Sequence, residues 1–570
     1  MEKKQLFAQS LIQKIEAKEI NSVGELNKAK IRLAGKIGLN QLPPNPTILS
    51  FAKNPSLRTK QLLGIKPVRT ISGVAPLAIM AKPIDCAHGT CIFCPGGEKS
   101  FFGSIPKSYT GHEPASMRAQ SNQFDPYLQS FNRLYQFAAT NHNLQKIELI
   151  VMGGTFPSFP KTYRHSFVAG AFKALNDFSD LFFAPSGFDF KKFNAFFDPK
   201  KFEYKKQPIS FQKKLLHQKG KPVLKKEQKK NETGSVRMVT FCVETKPDYC
   251  KQKHINDLLD LGVTRVELGV QALDDNLLSF SNRGHSVQDS VMATQHLKDS
   301  ALKVTYHMMP GLPHSTSEKD IGMFRELFEN SDFCPDALKI YPCMVLPGTP
   351  LYKQYQKGLF SPLTTKQAAR IIAKAKRFFP PWVRIQRIMR DIPTQFAIKG
   401  VQHNNLRQFV KQKALELGIE CQCIRCREAG HLQQKKSFQL KPNNATIQTI
   451  KYEASKGMEI FISAEDLKEN ALFGFCRLRI PFKPFRKEIT SSSALVRELH
   501  VFGEPLLLGQ KKKDSIQHKG LGKQLLQKAE EIAKNEFSKR KIVVIAGIGA
   551  REYYRKQDYI LKGPFMEKTL

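Results

Sequence analysis

Cys86, Cys91 and Cys94 stand in DCAHGTCIFCPGG, a Cys-x4-Cys-x2-Cys arrangement directly after a short apolar run. Three thiolates alone do not close a tetrahedral zinc site, but they can hold three irons of a 4Fe-4S cube and leave the fourth iron open. An open iron implies chemistry at the cluster. S-adenosylmethionine chelating that iron through its amine and carboxylate would be cleaved by one electron to an adenosyl radical, and the protein would supply position and dryness. The competing reading is a zinc knuckle closed by a distant ligand such as His88. Around the trio, Gly153 and Gly154 end the run IELIVM, where glycine lets the backbone approach a ligand and could contact the methionine amino group. Glu244 closes MVTFCVE, Gln271 ends TRVELGVQ, and His307 lies in TYHMMPGLP. Each of these residues alone reads equally well as a structural cap; together they resemble a site.

Cys421, Cys423 and Cys426 in CQCIRCREAGH supply three more thiolates. A nearby imidazole, His431 in sequence or His403 through folding, would complete a structural zinc site; three reduced, unligated thiols are the alternative. A third motif, Gln517-His518-Lys519-Gly520-Leu521-Gly522, opens a long helical pattern. Its glycines would expose backbone N–H groups to the pyrophosphate of a nucleotide-like ligand such as coenzyme A. A ligand-free glycine turn is the plainer reading.

These residues need strands to place them. LAIMAK (77–82), IELIVM (147–152), MVTFCV (238–243), TRVELGV (264–270), LKVTYHMM (302–309), ALKIYP (337–342) and WVRIQ (382–386) are continuous apolar runs with helix-like segments between, which predicts a parallel α/β barrel or partial barrel of six or seven strands. Residues 1–70 read as a basic helical accessory region, residues 71–393 as the barrel, 394–450 as a Cys-containing connector and 451–570 as a separate α/β domain. Between about 178 and 237 an insertion interrupts the barrel, with eleven Lys and two Glu from Lys201 to Lys230. It reads as a solvated loop or, more sharply, as an RNA-facing arm with Phe available for stacking. Ninety Lys and Arg against fifty Asp and Glu give a charge of +40 over 570 residues, which points to a polyanion, nucleic acid first. With no signal-peptide core and no apolar span, a cytoplasmic protein without membrane contact is expected.

CIFCPGG, SYTGHEPASMRA (108–119), VMGGTFPS, ETKPDYC, VELGVQ, NRGH (282–285), MPGLP and YPCMVLPGTPLY resemble the radical-SAM half of the catalytic subunit of Elongator. QRIMRDIP, GVQHNNLR and CIRCREAG continue the likeness through the connector, and VRELHVFG, AGIGAREYYRKQDY and GPFMEK resemble its GNAT-type acetyltransferase half. The Lys-rich insertion departs from the family. The resemblance implies a radical-SAM partial barrel followed by a GNAT-like domain, with a 4Fe-4S cluster, S-adenosylmethionine and acetyl-CoA. It implies acetyl-CoA contacts at Glu498, Leu499, His500 and Val501, at Leu521, Gly522 and Lys523 after the glycine turn, at Tyr554, and at Lys146 in the other half. A phenol at Tyr554 could protonate the departing thiolate. The implied reaction attaches an acetyl-derived carboxymethyl group to C5 of the wobble uridine in a tRNA anticodon loop, with or without Elongator-like accessory subunits. Basic patches in 1–70 and at Lys66, Arg69 and Lys82 would hold phosphates. The cluster and thioester sites are expected to share one chamber. Rival readings are a protein lysine acetyltransferase with a structural iron-sulfur half, a noncatalytic RNA scaffold, and a methylthiolating radical enzyme.

Overall fold

The computed structural model describes residues 2–52, 56–64, 70, 72–197, 208–433, 440, 442–503 and 520–570. Lys66, Arg69, part of the Lys-rich stretch and Gln517, His518 and Lys519 lie outside them.

Four helices open the chain: α1 (Glu2–Glu16), α2 (Val23–Ile37), α3 (Asn45–Ser50) and α4 (Leu57–Leu63). Ser22 caps α2 by accepting from the Glu25 N–H, and Gly38 ends it at φ 66°, the left-handed region glycine tolerates. The helices bury Phe7, Leu11, Ile15, Ile48, Leu49 and Leu63 as their own small core.

All seven expected barrel strands form: β1 (Ala75–Met80), β2 (Lys146–Met152), β3 (Arg237–Thr245), β4 (Arg265–Gln271), β5 (Lys303–Met308), β6 (Ala337–Ile340) and β7 (Arg384–Ile388). They pair in parallel in chain order, leaving β1 and β7 as open edges, so this is a half-barrel. The apolar runs predict strands buried by aliphatics on both faces. Instead, Val266, Leu268 and Val270 alternate along β4 with Arg265, Glu267 and Gln271, and the second set meets polar side chains of neighbouring strands. Every charge on that face finds a partner of opposite sign, which is the condition for burying it.

Among its described residues, the insertion is packed and helical rather than a solvated loop. Helices α5 (Pro126–Ala139) and α6 (Lys161–Phe182) flank β2, and α6 runs past the expected start of the insertion. Phe178, Phe182, Phe193 and Phe197 are buried with Phe131 in a ring cluster whose centroids lie 4.7–6.4 Å apart. Each such ring contributes roughly 1.5–3 kcal/mol by leaving water, and none is free to stack on a base. Two more helices follow, α7 (Ile209–Lys219) and α8 (Leu224–Asn231).

The second sheet contains β8 (Thr446–Ala454), β9 (Gly457–Asp466), β10 (Ala471–Ile480), β11 (Ser493–Val501), β12 (Lys541–Val544), β13 (Ile560–Lys562) and β14 (Phe565–Thr569), ordered β8-β9-β10-β11-β12-β14-β13. Its first strand begins at Thr446, inside the expected connector. Helix α9 (Leu521–Asn535) covers it with Leu521, Leu525, Leu526, Ala529 and Ile532, an i, i+4 stripe. No helix among the described residues is long and apolar enough to cross a membrane.

The two sheets are joined through charge. Arg497 of β11 donates Nη1 to Asp336 Oδ2 at 2.9 Å and Nη2 to Asp336 Oδ1 at 2.6 Å, and also reaches Glu459 Oε2 at 2.9 Å. Arg479 donates to Asp299 Oδ1 at 2.6 Å and Glu459 Oε1 at 3.0 Å. All five groups are buried.

Candidate functional site

Beyond the C-terminal ends of the barrel strands lies a partly open cavity, and Cys86, Cys91 and Cys94 all line it. Arg283 donates Nη1 to Cys91 Sγ at 3.2 Å and Nη2 to the Gly269 carbonyl at 2.6 Å. The Ser108 N–H donates to Cys94 Sγ at 3.2 Å, and His88 Nε2 lies 3.3 Å from Cys91 Sγ. Burial and the neighbouring thiolates push Cys86 and Cys94 up, so nearby cations are needed for these two to ionise. Burial with Lys246, Arg283 and Lys107 pushes His88 down to about 4, leaving a neutral ring. Among the described residues, the sets of ligand atoms drawn within 4.8 Å of one another are Cys421/Cys423/Cys426 and Glu244/Glu267/His307, and the Cys86 trio is not one of them. Thiolates on a single zinc, each about 2.3 Å from the metal, would be drawn that close; a cube of irons needs them farther apart. The donor set fits a 4Fe-4S cluster.

The residues expected around the cluster gather here in part. Gly154 (φ +93°), Glu244, Gln271 and His307 line the cavity. Gly153 (φ +107°) sits behind it, where a Cβ would come 3.1 Å from Pro106 Cβ. Glu244 accepts from the Tyr109 hydroxyl at 2.9 Å. Gln271 Oε1 is buried without a hydrogen-bond partner among the described residues, an orphaned acceptor that an amine such as that of S-adenosylmethionine would satisfy. Sequence reasoning missed Tyr109 and also Lys107, Arg283, Lys246, Lys339 and Arg390, which give the cavity a cationic wall. Tyr109 and Arg283 lie inside SYTGHEPASMRA and NRGH, stretches read as blocks rather than residue by residue.

Below the cavity, the barrel interior is a chain of ion pairs. Glu267 is fully buried, and its Oε2 pairs with Lys339 Nζ and lies 3.0 Å from His307 Nε2, while Arg265 reaches its Oε1 at 3.1 Å. Arg265 also pairs with Glu148 at 2.5 Å, and Lys339 lies 3.9 Å from Glu244. Burial works against the Glu267 charge, but Lys339, His307 and Arg265 hold its carboxyl well below the usual range. With two cations already in place, Glu244, Glu267 and His307 are not a metal site.

The second cysteine trio does converge. Hydrogen bonds from Cys421 and Cys426 hold the Cys423 thiol well below an ordinary one, and buried Lys376 places Nζ 4.0 Å from Cys426 Sγ. Neither expected imidazole joins it: His431 Nε2 lies 3.7 Å from Glu428, and His403 packs on Phe409.

In the second sheet, β11 pairs with β12 only over Ser493–Val496, after which the strands part and leave the backbone of Leu499, His500 and Val501 facing the opening. Glu498 pairs with Lys303 Nζ of β5 and accepts from Arg477 Nε at 3.0 Å; although burial opposes its charge, these cations push its carboxyl down to about 2. His500 Nε2 lies 3.1 Å from the Ser72 carbonyl. Gly520 caps α9 at φ 79°, Leu521 is buried and Lys523 exposed, while a Cβ on Gly522 would meet the Tyr553 hydroxyl at 3.0 Å. Tyr554 is buried against Tyr559, and burial pushes its phenol far up. The phenol at the helix start is thus Tyr553, one position earlier. Lys146, first residue of β2, sits opposite Arg237, and burial with that neighbouring charge lowers its pKa. Gly549 packs on Arg237, and a Cβ on Gly547 would sit 2.0 Å from the Val239 carbonyl, so the second domain docks at the strand starts. The cysteine cavity lies beyond the strand ends. Across the seven residues of β2, strand starts and strand ends lie about 20 Å apart.

Residues 211–327 match the model of the radical SAM superfamily and residues 335–416 that of the radical SAM C-terminal domain. The chain is 46% identical over 545 residues to the tRNA uridine(34) acetyltransferase of Methanocaldococcus jannaschii, covering 95% of this chain and 93% of that protein. It is 37% identical over 567 residues to Elongator complex protein 3 of Bos taurus, covering 98% and 95%. The solved archaeal Methanocaldococcus infernus Elp3 with an N-terminal deletion (1–46) superposes with a TM-score of 0.71 at 41% identity, covering 88% of this chain and all of that one. At this identity over nearly the full length of both chains, the protein belongs to the radical-SAM family of tRNA uridine(34) acetyltransferases and Elongator complex protein 3.

Proposed function

We propose that this chain carboxymethylates C5 of the wobble uridine of tRNA, using acetyl-CoA as carbon source and S-adenosylmethionine as radical source. The observation that carries the reading is the convergence of Cys86, Cys91 and Cys94 on one cationic cavity. When bound there, the cluster would supply the electron that cleaves S-adenosylmethionine. The residues of the chain do the rest. Arg283 orients Cys91 and, with buried Lys107 and Lys246, offsets thiolate charge, Gln271 and Gly154 receive the methionine end, and Arg390 attracts RNA phosphate to the rim. Tyr109 and Glu244 face the space where an unstacked base would enter, able to hydrogen-bond its edge.

Acetyl-CoA is assigned to the parted strands β11 and β12 and the start of α9, with Tyr553 as the phenol facing that helix start. Glu498 positions this strand from behind, and Lys303 is its anchor in the barrel. Lys303→Met should raise the KM for acetyl-CoA by about tenfold, the cost of roughly 1.4 kcal/mol in positioning, and leave S-adenosylmethionine cleavage unchanged. Lys303→Arg should restore most of the affinity. Equal losses in both activities would make Lys303 a fold residue only. Zinc is assigned to Cys421, Cys423 and Cys426, with Lys376 offsetting the excess thiolate charge.

Anaerobic reconstitution with S-adenosylmethionine, acetyl-CoA and tRNA, read by nucleoside mass spectrometry, tests the whole reading. It should yield 5-carboxymethyl-type uridine and deoxyadenosine, with an iron-sulfur cluster and one zinc per chain by metal analysis. Acetyl-lysine in place of modified uridine, persisting without iron, would instead support the protein acetyltransferase.

A further inference from the structure

The Lys-rich insertion is not accounted for by either catalytic half. Its helix α8 is pinned along one side: Gln228 Nε2 donates to the Leu261 carbonyl at 3.0 Å, and Asn231 Nδ2 donates to Asn176 Oδ1 at 2.9 Å and the Val236 carbonyl at 3.0 Å. Just past the helix, Glu232 is buried between Arg551 at 3.1 Å and Arg555 at 2.8 Å of the second domain. The insertion therefore bridges the seam between the halves.

The other side of α8 is lysine. Lys225, Lys226, Lys229 and Lys230 are exposed, as are Lys213 and Lys214 on α7. Lys225 faces Lys229, and Lys226 faces Lys230, at i, i+4 spacing, about 5–6 Å between Cβ atoms, an arrangement that weakens a helix. Lys229 pairs with Glu232 at 3.2 Å, Lys230 with Asp180 at 2.5 Å, and Lys225 donates to the Asp260 carbonyl at 3.3 Å. The Lys230 pair is exposed and worth little, and Glu232 keeps Arg551 and Arg555 if Lys229 turns to another anion. A locally unfavourable row of like charge, held rigid from behind, suits a polyanion whose binding then orders little.

Resting on the tRNA reading above, we infer that this lysine face is a second tRNA-docking surface that grips sugar-phosphate backbone outside the anticodon loop. The location follows from the anchors. Leu261 and Val236 precede β4 and β3, so the face lies toward the strand starts, away from the cavity that would take the wobble base.

The test combines Lys225→Gln, Lys226→Gln, Lys229→Gln and Lys230→Gln in the full chain, with glutamine chosen to keep helix propensity. For intact tRNA, the Kd at low salt should weaken at least tenfold, and the slope of log affinity against log salt should fall by about 3–4, since each of the four lost phosphate contacts contributes roughly 0.7–0.9. The modification rate at saturating tRNA and the melting temperature should not change. An isolated anticodon stem-loop should bind wild type and variant alike. An unchanged slope for intact tRNA, or equal weakening for the stem-loop, overturns the inference. Failure of the wild-type chain to bind tRNA at all would overturn the function on which it rests.

Discussion

Cys94→Ala should abolish uridine modification and deoxyadenosine formation while tRNA retention stays within about twofold of wild type. Losing even an outer partner of a metal ligand typically costs 10- to 100-fold, so losing the ligand itself should exceed about 100-fold. The side chain is suited to removal because its recorded contacts are local: the Ser108 N–H at 3.2 Å and the Gly96 carbonyl at 3.8 Å. Iron content and the visible absorbance of the reconstituted protein give the first readout, and product analysis the second. If tRNA retention falls as far as activity, the cluster acts chiefly as a fold element.

Asp336→Asn should be the most destabilising single change at the seam of the two sheets. Asp336 accepts both Arg497 nitrogens and the Val304 N–H at 2.8 Å, and it is fully buried. Removing one partner of a buried pair leaves an uncompensated charge, a cost of about 3–5 kcal/mol. Burial favours the neutral acid, but Arg497, Lys298 and Arg477 hold the carboxyl far below its usual range. The stabilisation is therefore complete above the ordinary carboxylate range and declines as pH falls through it toward the folded value. The wild-type melting temperature should drop on acidification, and the variant, already lower at neutral pH, should lose less over the same interval. Parallel melting curves against pH would show that Asp336 does not carry the coupling.

The seven barrel strands were legible because each is a continuous apolar run ended by turn residues, and their order followed from parallel connection. What the runs concealed was the inner face. Glu148, Glu267 and Lys339 sit singly among aliphatics, and only the register that sets them side by side reveals an ion-pair chain. The packing of the insertion is hidden for a related reason: its lysines dominate composition, while the phenylalanines that bury it close on α6, which runs into it, and on Phe131 of α5, much earlier in the chain. At Tyr553 and Tyr554, adjacent identical residues point to opposite environments, one at the start of α9 and one in the core, and sequence alone does not say which is which. Cysteine spacing was the strongest signal, since three thiolates in nine residues constrain their own geometry. The cationic partners that make the cavity usable, Lys107 and Arg283, come from loops whose folding brings them there.

The half-barrel has two ends with different occupants: the second domain docks at the strand starts, against Val239 and Arg237, while the cysteine cavity opens past the strand ends, about a strand's length or roughly 20 Å further along. A substitution at the docking face is therefore expected to leave the geometry around the cysteines intact, and the reverse.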